Sequence, residues 1–292
     1  MELRVLRYFL AVTQEENITA AAERLHVTQP TLSKQLKDLE TELSTTLFLR
    51  GKRKITLTED GLFLKKRAQE IIDLADKTES AFQAENENIS GEIYIGGGET
   101  YGVKYIAKAL RKLIQKYPSV RYHFVSGDGN TATEMLEKGL IDFALFVGDM
   151  ELRSLDYLVL PTYDTWGLLM RKDNPLAGKS GISPEDLKNI PVLCSRQALE
   201  QNELSGWLGY SPEKMNIIGT HNLVYNESVM VEEGIGCAVT IDNLINTSGE
   251  SGLCFRPFTP QITARITIGW KKYQVFSKAA EAFLKELYEA VK

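Results

Sequence analysis

Gln29, Thr31, Ser33, Lys34 and Lys37 place an amide, two hydroxyls and two ammonium groups within one short stretch of the chain. Amides and ammonium groups can reach the polar edges of nucleic-acid bases, and hydroxyls and backbone N–H groups suit phosphate oxygens. Leu32, Leu36 and Leu39 run between them at i, i+4 and i+7. One helix would therefore bury its leucines and present the polar set on the other side. Thr28 can cap that helix, and Pro30 falls in its first turn, where a missing N–H costs nothing.

The elements around this helix are short. Asn17 or Thr19 can cap a preceding helix whose buried stripe is Ala21, Ala22 and Leu25, and "HVTQP" separates the two. His26 is expected to pack in that turn. Leu3, Leu6, Phe9, Leu10 and Val12 mark a first helix. Two short helices with a tight turn, the second bearing small polar and cationic side chains, describe a helix-turn-helix. "TTLFLR" and "KITLT" then read as a hairpin or wing. Its basic tip, Arg50, Lys52, Arg53 and Lys54, would lie beside a DNA backbone. With Thr19, Thr28 and Pro30 these complete the expected DNA-contacting set. The plainer alternative is a three-helix packing module with a solvated basic loop.

From Thr58 the chain runs without proline to Asn86. Thr58 can cap this stretch, and Glu59 and Asp60 sit where the positive end of a helix dipole favours acids. Gly61 is a weak point, near the end where it costs least. Leu64, Ala68, Ile71, Ile72, Ala75 and Phe82 form an apolar stripe along a helix of about 40 Å. That stripe looks too long for a small domain to cover and predicts a two-helix, coiled-coil-like contact between chains. Such a dimer would hold two reading helices at fixed spacing on a twofold DNA site.

The 292 residues carry a net charge of -5, yet residues 1–60 balance at nine basic and nine acidic side chains. The whole deficit lies in the remainder, so any polyanion must be met by a local patch on the N-terminal unit. No apolar run approaches the roughly 18 residues a membrane span requires, and the first residues lack a signal peptide's apolar core. The three cysteines, Cys194, Cys237 and Cys254, are far apart. A disulfide scaffold is not expected, and a reducing cytoplasm fits. Cys194 and Cys237 read as small buried hydrophobes in strands rather than a redox switch. His26, His123 and His221 are too scattered for a metal site, and no nucleophile elbow or paired-carboxylate site appears. No cofactor, metal or catalytic residue is expected.

After "NISGE" the pattern changes to alternating strands and helices: "EIYIGGG", "YIAKALRKLIQKY", "VRYHFVSG", "TATEMLEKGL" and "DFALFVG". A second series after Pro161 contains "TWGLLMRK", "PVLCSRQ", "MNIIGTH", "NESVMVEEG" and "GCAVTI", and "KAAEAFLKELYEAV" closes the chain as a helix. Strand–helix–strand units imply parallel sheets. Two such α/β lobes form a cleft at their strand ends, where ligands sit in open sheets. "IGGGETYG" is no dinucleotide loop, because the third glycine position falls on Tyr101.

"LRYFLAV", "AAERLHVTQPTLSKQLKDLE", "LFLRGKRKITLTEDG", "YPSV", "EKGLIDFAL", "DNPLA" and "EEGIGCAV" occur in the order found in LysR-type transcriptional regulators, which the chain resembles over nearly its whole length. The resemblance implies a winged helix-turn-helix at 1–58, a linker and dimerisation helix at 59–88, and an α/β effector domain similar to periplasmic binding proteins. Its two Rossmann-like lobes would comprise 91–161 with 266–292, and 162–265. It further implies tetramers built from two kinds of dimer, promoter DNA and RNA polymerase as partners, and a small-molecule effector. Two positions depart from the family pattern: Lys34 replaces the usual arginine, losing the bidentate fork toward guanine, and Thr31 replaces a common alanine.

By the same resemblance the effector would lie between the lobes, bordered by Glu99, Thr100 and Tyr101, by Ser126, Gly127, Asp128 and Asn130, by the segment Ser195, Arg196 and Gln197, and by His221 and Asn222. A helix beginning at Thr100 offers N–H groups to an anion, Gly96–Gly98 would let the backbone approach a ligand, and Arg196 adds positive charge. These features suit a carboxylate. Glu99 and Asp128 oppose one, and a zwitterion or a ligand with an amino or hydroxyl group reconciles the two. The competing reading is a solute-binding protein or small-molecule enzyme fused to a helical module. The missing export signal and the missing catalytic constellation argue against it.

Overall fold

The structure, a computed structural model, describes residues 1–50, 54–82, 89–150, 152–200 and 204–292. The chain divides into two compact units, Met1–Phe82 and Gln83–Lys292.

The first unit contains α1 (Leu3–Glu15), α2 (Ile18–Arg24), α3 (Gln29–Glu42), β1 (Phe48–Arg50), β2 (Ile55–Leu57) and α4 (Glu59–Phe82). Asn17, rather than Thr19, caps α2: its Oδ1 accepts from the backbone N–H of Thr19 at 2.8 Å and of Ala20 at 3.1 Å. Thr28 caps α3 by accepting from the Thr31 N–H. Phe9, Val12, Ala21, Leu32, Leu36 and Leu39 share one core with Leu64, Ala68 and Ile72 of α4. Of the predicted stripe, Leu64, Ala68 and Ile72 are thus covered by their own unit, while Ile71 is exposed, Ala75 is half-buried and the Phe82 side chain lies outside the described residues. Beside Ile71 of that stripe, α4 also leaves exposed Leu62 at 59%, Phe63 at 65% and, farther along, Leu74. His26 does not pack in the turn. It is exposed, with a left-handed φ of 55°, because the tight turn needs that backbone conformation more than it needs an imidazole inside.

The wing is tied to the helices by polar contacts. Glu40 Oε1 accepts from the N–H groups of Leu47 at 2.8 Å and Phe48 at 3.2 Å. Hydrogen bonds to a charged acceptor contribute about 1.5–3 kcal/mol each in favourable cases. Thr58 donates to the Thr46 carbonyl at 2.7 Å and caps α4 by accepting from the Gly61 N–H at 3.0 Å.

The second unit runs β3 (Gly91–Gly97), α5 (Val103–Lys116), β4 (Val120–Ser126), α6 (Gly129–Glu137), β5 (Phe143–Val147), β6 (Leu155–Arg171), α7 (Pro184–Leu187), β7 (Pro191–Ser195), α8 (Arg196–Glu200), α9 (Ser205–Leu208), β8 (Asn216–His221), α10 (Val224–Glu232), β9 (Cys237–Ile241), β10 (Leu253–Pro257), β11 (Thr263–Lys271) and α11 (Lys278–Val291). In the first lobe β4, β3 and β5 are parallel, and β11 joins antiparallel to β5. Helices α5 and α11 share that lobe's core through Ile106, Leu113, Ala280 and Phe283. In the second lobe β8, β7 and β9 are parallel, and β6 pairs antiparallel with β9 and β10.

Strand β6 passes from one lobe to the other. It pairs with β11 as far as Thr165↔Thr263, and from Trp166↔Ile241 it pairs with β9. Pro161, read as a boundary, lies inside this strand. The register shifts there, so that Leu160, Pro161 and Thr162 stand between the Val159↔Thr267 and Tyr163↔Arg265 pairs. An irregularity of this kind tolerates a residue without an N–H donor.

Candidate nucleic-acid interface and effector cleft

On α3 the three leucines are buried, and Gln29, Pro30, Thr31, Lys34 and Lys37 are exposed, with Ser33 half-buried beside them. Thr19 and Thr28 are exposed on the neighbouring turn. The Thr28 and Thr31 hydroxyls lie 2.8 Å apart. β1 and β2 form the expected antiparallel hairpin, with Phe48 opposite Leu57. Gly51, Lys52, Arg53 and the Arg50 side chain fall outside the described residues. Lys54 is exposed, and its Nζ lies 2.6 Å from Glu16 Oε2. An exposed pair of this kind is worth little, so a phosphate can compete for the lysine.

Between the lobes of the second unit lies a cavity of about 80 Å3 whose polar lining includes Glu99, Asp128, Ser195, His221 and Asn222. Its apolar walls come from Val147, Trp166, Val239 and Leu244. A wider hollow of about 330 Å3 adjoins it through Gly98, Glu99 and Leu244, and adds Thr100, Tyr101, Ser126 and Tyr225. Gly127, Asn130 and Arg196 line neither. Gln197 spans the lobes: its Oε1 accepts from Gly129 N at 2.7 Å and its Nε2 donates to the Val147 carbonyl at 3.4 Å. Trp166, Thr240 and Leu244 also line the cavity. They were missed because each reads as ordinary strand or loop filling.

Two expectations about the cleft change. The four backbone N–H groups from Gly102 to Tyr105 are occupied. Thr100 Oγ1 takes the first at 2.9 Å, and the carbonyls of Thr100, Tyr101 and Gly102 take the others. Helix α5 begins at Val103, so its first turn is not an open anion cradle. Gly97 has φ 148°, and a Cβ there would overlap the backbone of Leu145. This glycine serves close packing of β3 on β5, not a ligand. A Cβ on Gly96 would meet the Ile141 side chain, and of the three glycines only Gly98 lines the cleft. Tyr101 is 55% exposed, with Lys104 Nζ 4.9 Å from its ring centre.

Electrostatics separate the cleft's acids and bases. Burial works to raise the Asp128 carboxyl, but hydrogen bonds from the Thr131 backbone and hydroxyl, with the Arg196 charge, leave it below the usual range. Burial pushes His221 down to about 4. Its side chain is 7% exposed, Glu227 Oε1 is 3.9 Å from Nδ1, and Nδ1 has no hydrogen-bond partner among the described residues. His221 is therefore a neutral imidazole at physiological pH. Where β6 passes between the lobes, burial pushes Asp164 up to about 6.

These last two groups give opposed pH dependences of stability. Folded His221 binds fewer protons than an unfolded histidine between about pH 4 and 6.5, so its contribution rises with pH across that window. Folded Asp164 holds its proton from about 3.8 to 6 when an unfolded aspartate has lost it, so its contribution falls with pH there. Asp164→Asn should make the melting temperature of the second unit climb more steeply from pH 4 to 6, and His221→Gln should make it climb less. Calorimetry across that range checks this. Slopes unchanged from the parent in both variants would contradict it.

The three cysteines are free and buried. Burial raises the Cys194 thiol to about 12 and that of Cys237 to about 11, against the Asn174 hydrogen bond in the second case. Thiolate chemistry is suppressed at both. No group of three or more His, Cys, Asp or Glu side chains suited to a metal occurs among the described residues, and no described helix is long and apolar enough to cross a membrane.

Comparison with known proteins bears on both halves of the chain. Residues 3–62 match the family model described as a bacterial regulatory helix-turn-helix protein of the lysR family, and residues 86–292 match the LysR substrate binding domain. The HTH-type transcriptional regulator BsdA of Bacillus subtilis (strain 168) is 36% identical over 146 residues, 50% of each chain. The Hca operon transcriptional activator HcaR of Escherichia coli (strain K12) is 28% identical over 93% of this chain and 92% of its own. The crystal structure of CbnR, a LysR family transcriptional regulator, superposes with a TM-score of 0.77 at 19% identity, covering 100% of both chains. CbnR complexed with its target DNA gives 0.74 at 17%, covering 99% of this chain and 100% of that one. At such identities these structures speak to the fold. The two family models together account for nearly the whole chain: it belongs to the LysR family and is a DNA-binding transcriptional regulator with a substrate-binding domain.

Proposed function

We propose that two chains pair through the exposed Leu62–Phe63 face of α4 and set two copies of α3 into successive major grooves of a twofold operator. Gln29, Thr31, Ser33, Lys34 and Lys37 meet the DNA from α3, Thr19 and Thr28 contact phosphates from the neighbouring turn, and Pro30 shapes the first turn. The basic wing, Arg50 and Lys52 to Lys54, follows the backbone. The observation that carries this reading is the split face of α3, with its leucines buried and its lysines exposed. The complex of CbnR with its target DNA supports it by analogy of fold. Pairs of dimers form a tetramer in the cytoplasm and act on RNA polymerase. The protein regulates and does not catalyse, in keeping with the names of its relatives.

The effector site is the cleft between the lobes, bordered by Glu99, Thr100, Tyr101, Ser126, Asp128, Ser195, His221 and Asn222. Among the described residues neither hollow is lined by lysine or arginine. That favours a zwitterion over a simple carboxylate: Glu99 and Asp128 suit an ammonium, and the Ser195 hydroxyl and Asn222 amide suit a carboxylate. Binding that prefers one lobe arrangement, and DNA that prefers one dimer arrangement, would couple the two sites.

The test is a salt titration on an operator selected from a randomised duplex pool. Log affinity should fall linearly with log salt, by about 0.9 for each phosphate neutralised. A flat line would rule out this mode of binding.

A further inference from the structure

We propose that Gln197 is a displaceable stand-in for the effector, and that the group which takes its place is a neutral carboxamide. The proposal rests on the reading that the effector binds between the lobes. With the zwitterion preference of that cleft, it narrows the ligand to an amino acid bearing a side-chain amide. Gln197 lies on α8 in the second lobe, and its amide reaches groups of the first. Oε1 accepts from Gly129 N, at the start of α6, at 2.7 Å. Nε2 donates to the carbonyl of Val147, the last residue of β5, at 3.4 Å. One turn along α8, Glu200 Oε2 accepts from Asn130 Nδ2 at 3.4 Å. Residues three apart share a helix face, so one side of α8 is fastened to the start of α6 at two points.

The amide sits where a ligand would. Gln197 and Val147 line the cavity between the lobes, together with Asp128. That cavity measures about 80 Å3, against roughly 300–1,000 Å3 for an ordinary small-molecule site. A ligand seated there must move part of the lining. On the same lining, His221 has a side chain 7% exposed and an Nδ1 without a partner among the described residues. A buried polar group of this kind is one that a ligand can satisfy.

The two backbone groups that Gln197 holds define what can replace it. Gly129 offers a donor and Val147 an acceptor. A carboxylate can only accept and an ammonium can only donate, whereas an amide does both. Charge gives the same answer. A carboxylate on Gly129 N would lie next to Asp128 and close to Glu200, and Arg196 offsets only part of that negative charge. An incoming carboxamide exchanges bond for bond with Gln197, whose freed amide turns to water. No covalent bond breaks and no proton is transferred. The ligand's charged end, held at Ser195 and Asn222 of the second lobe, then renews the link between the lobes that Gln197 gave up.

Hydrogen exchange of the Gly129 amide in the full chain tests the tie without any ligand. Gln197→Ala should lose the protection that the wild type shows there. Alanine suits a helix and Gln197 is only half-buried, so the variant should fold. Acetamide, the smallest carboxamide probe, should bind Gln197→Ala roughly two- to tenfold more tightly than the wild type, the worth of one neutral hydrogen bond that no longer competes. It should also restore the protection of Gly129, and acetate should not. L-Glutamine should bind the wild type more tightly than glycine, which has the charged ends without the amide. Gly129 exchange unchanged by Gln197→Ala, or acetamide bound no more tightly by that variant, would overturn the proposal. In either case, glycine binding that Asn222→Ala abolishes would leave the cleft reading standing. No binding of glycine, acetamide or L-glutamine to any form would sink both.

Discussion

Alanine at both Ser33 and Lys34 is expected to lower operator affinity by about a hundredfold or more, at roughly 1–3 kcal/mol for each lost base-reading or phosphate contact. Lys34 is exposed and Ser33 half-buried, and neither belongs to the leucine core of α3, so the fold should not change. Melting temperatures of both units should match the parent, and effector binding should persist. Lys34→Arg gives the informative contrast. A guanidinium restores the two-pronged donor that lysine lacks, so this variant should keep affinity while shifting preference toward guanine at one operator position. Binding measured on the selected operator and on each single-base variant distinguishes the two. Unchanged affinity in the double variant would show that α3 is not the reading helix.

The second large effect concerns Gly61, which lies outside the proposed DNA-contacting set. Glycine inside a helix ordinarily costs about 1 kcal/mol against alanine, so Gly61→Ala would be expected to stabilise α4. The structure predicts the opposite sign. A Cβ at Gly61 would overlap the carbonyl oxygen of Leu47 and press on the Leu57 side chain. That carbonyl already accepts from Thr58 N, and Thr58 caps the helix. Backbone atoms held at a hydrogen-bonded junction cannot step aside as a side-chain end can, and overpacking of this kind costs typically 1–3 kcal/mol. In a unit of this size the melting temperature should drop by roughly 10 °C. DNA affinity should fall with it as the wing loses its seat on α4, and the melting of the second unit should stay put. A rise in the first unit's melting temperature would show that the junction relaxes.

The difference between the α3 pair and Gly61 shows what the sequence could convey. The helix-turn-helix was legible because it is built from local rules: Asn17 and Thr28 cap, and Leu32, Leu36 and Leu39 repeat at one spacing. The terminal helix was legible to the residue, Lys278–Val291, for the same reason. Gly61 was read as a weak helix position because its constraint comes from Leu47, a neighbour in space that no periodicity reveals. Strand β6 was read only from its second half, since Pro161 usually ends a strand, and the irregularity that accommodates it depends on β11. Strand β10 was missed because "LCFRP" is short and carries no clean alternation, whereas β11 was legible: Ala264, Ile266, Ile268 and Trp270 alternate with Thr263, Arg265, Thr267 and Lys271, a period-two signal that was passed over. In the cleft, the residue types at Glu99, Asp128 and His221 were visible, but the occupied N–H groups of α5 were not. Asp164 left one local sign, a carboxylate at the head of the apolar run "DTWGLLM", and its meaning depended on which lobe each side of it would join.

The path of the chain also has a consequence during synthesis. The first sheet of the second unit is started by β3, β4 and β5 but completed only by β11 and α11, which follow all the other described elements and so leave the ribosome after them. The first unit, by contrast, has its own core and is finished before residue 90. A ribosome that stalls, or a premature stop codon anywhere in the later half of the message, would therefore release a polypeptide that grips operators yet has no working sensor. Mixed with intact chains in one cell, such fragments would occupy promoters deaf to the signal, and nonsense mutations late in the reading frame should behave as dominant rather than silent.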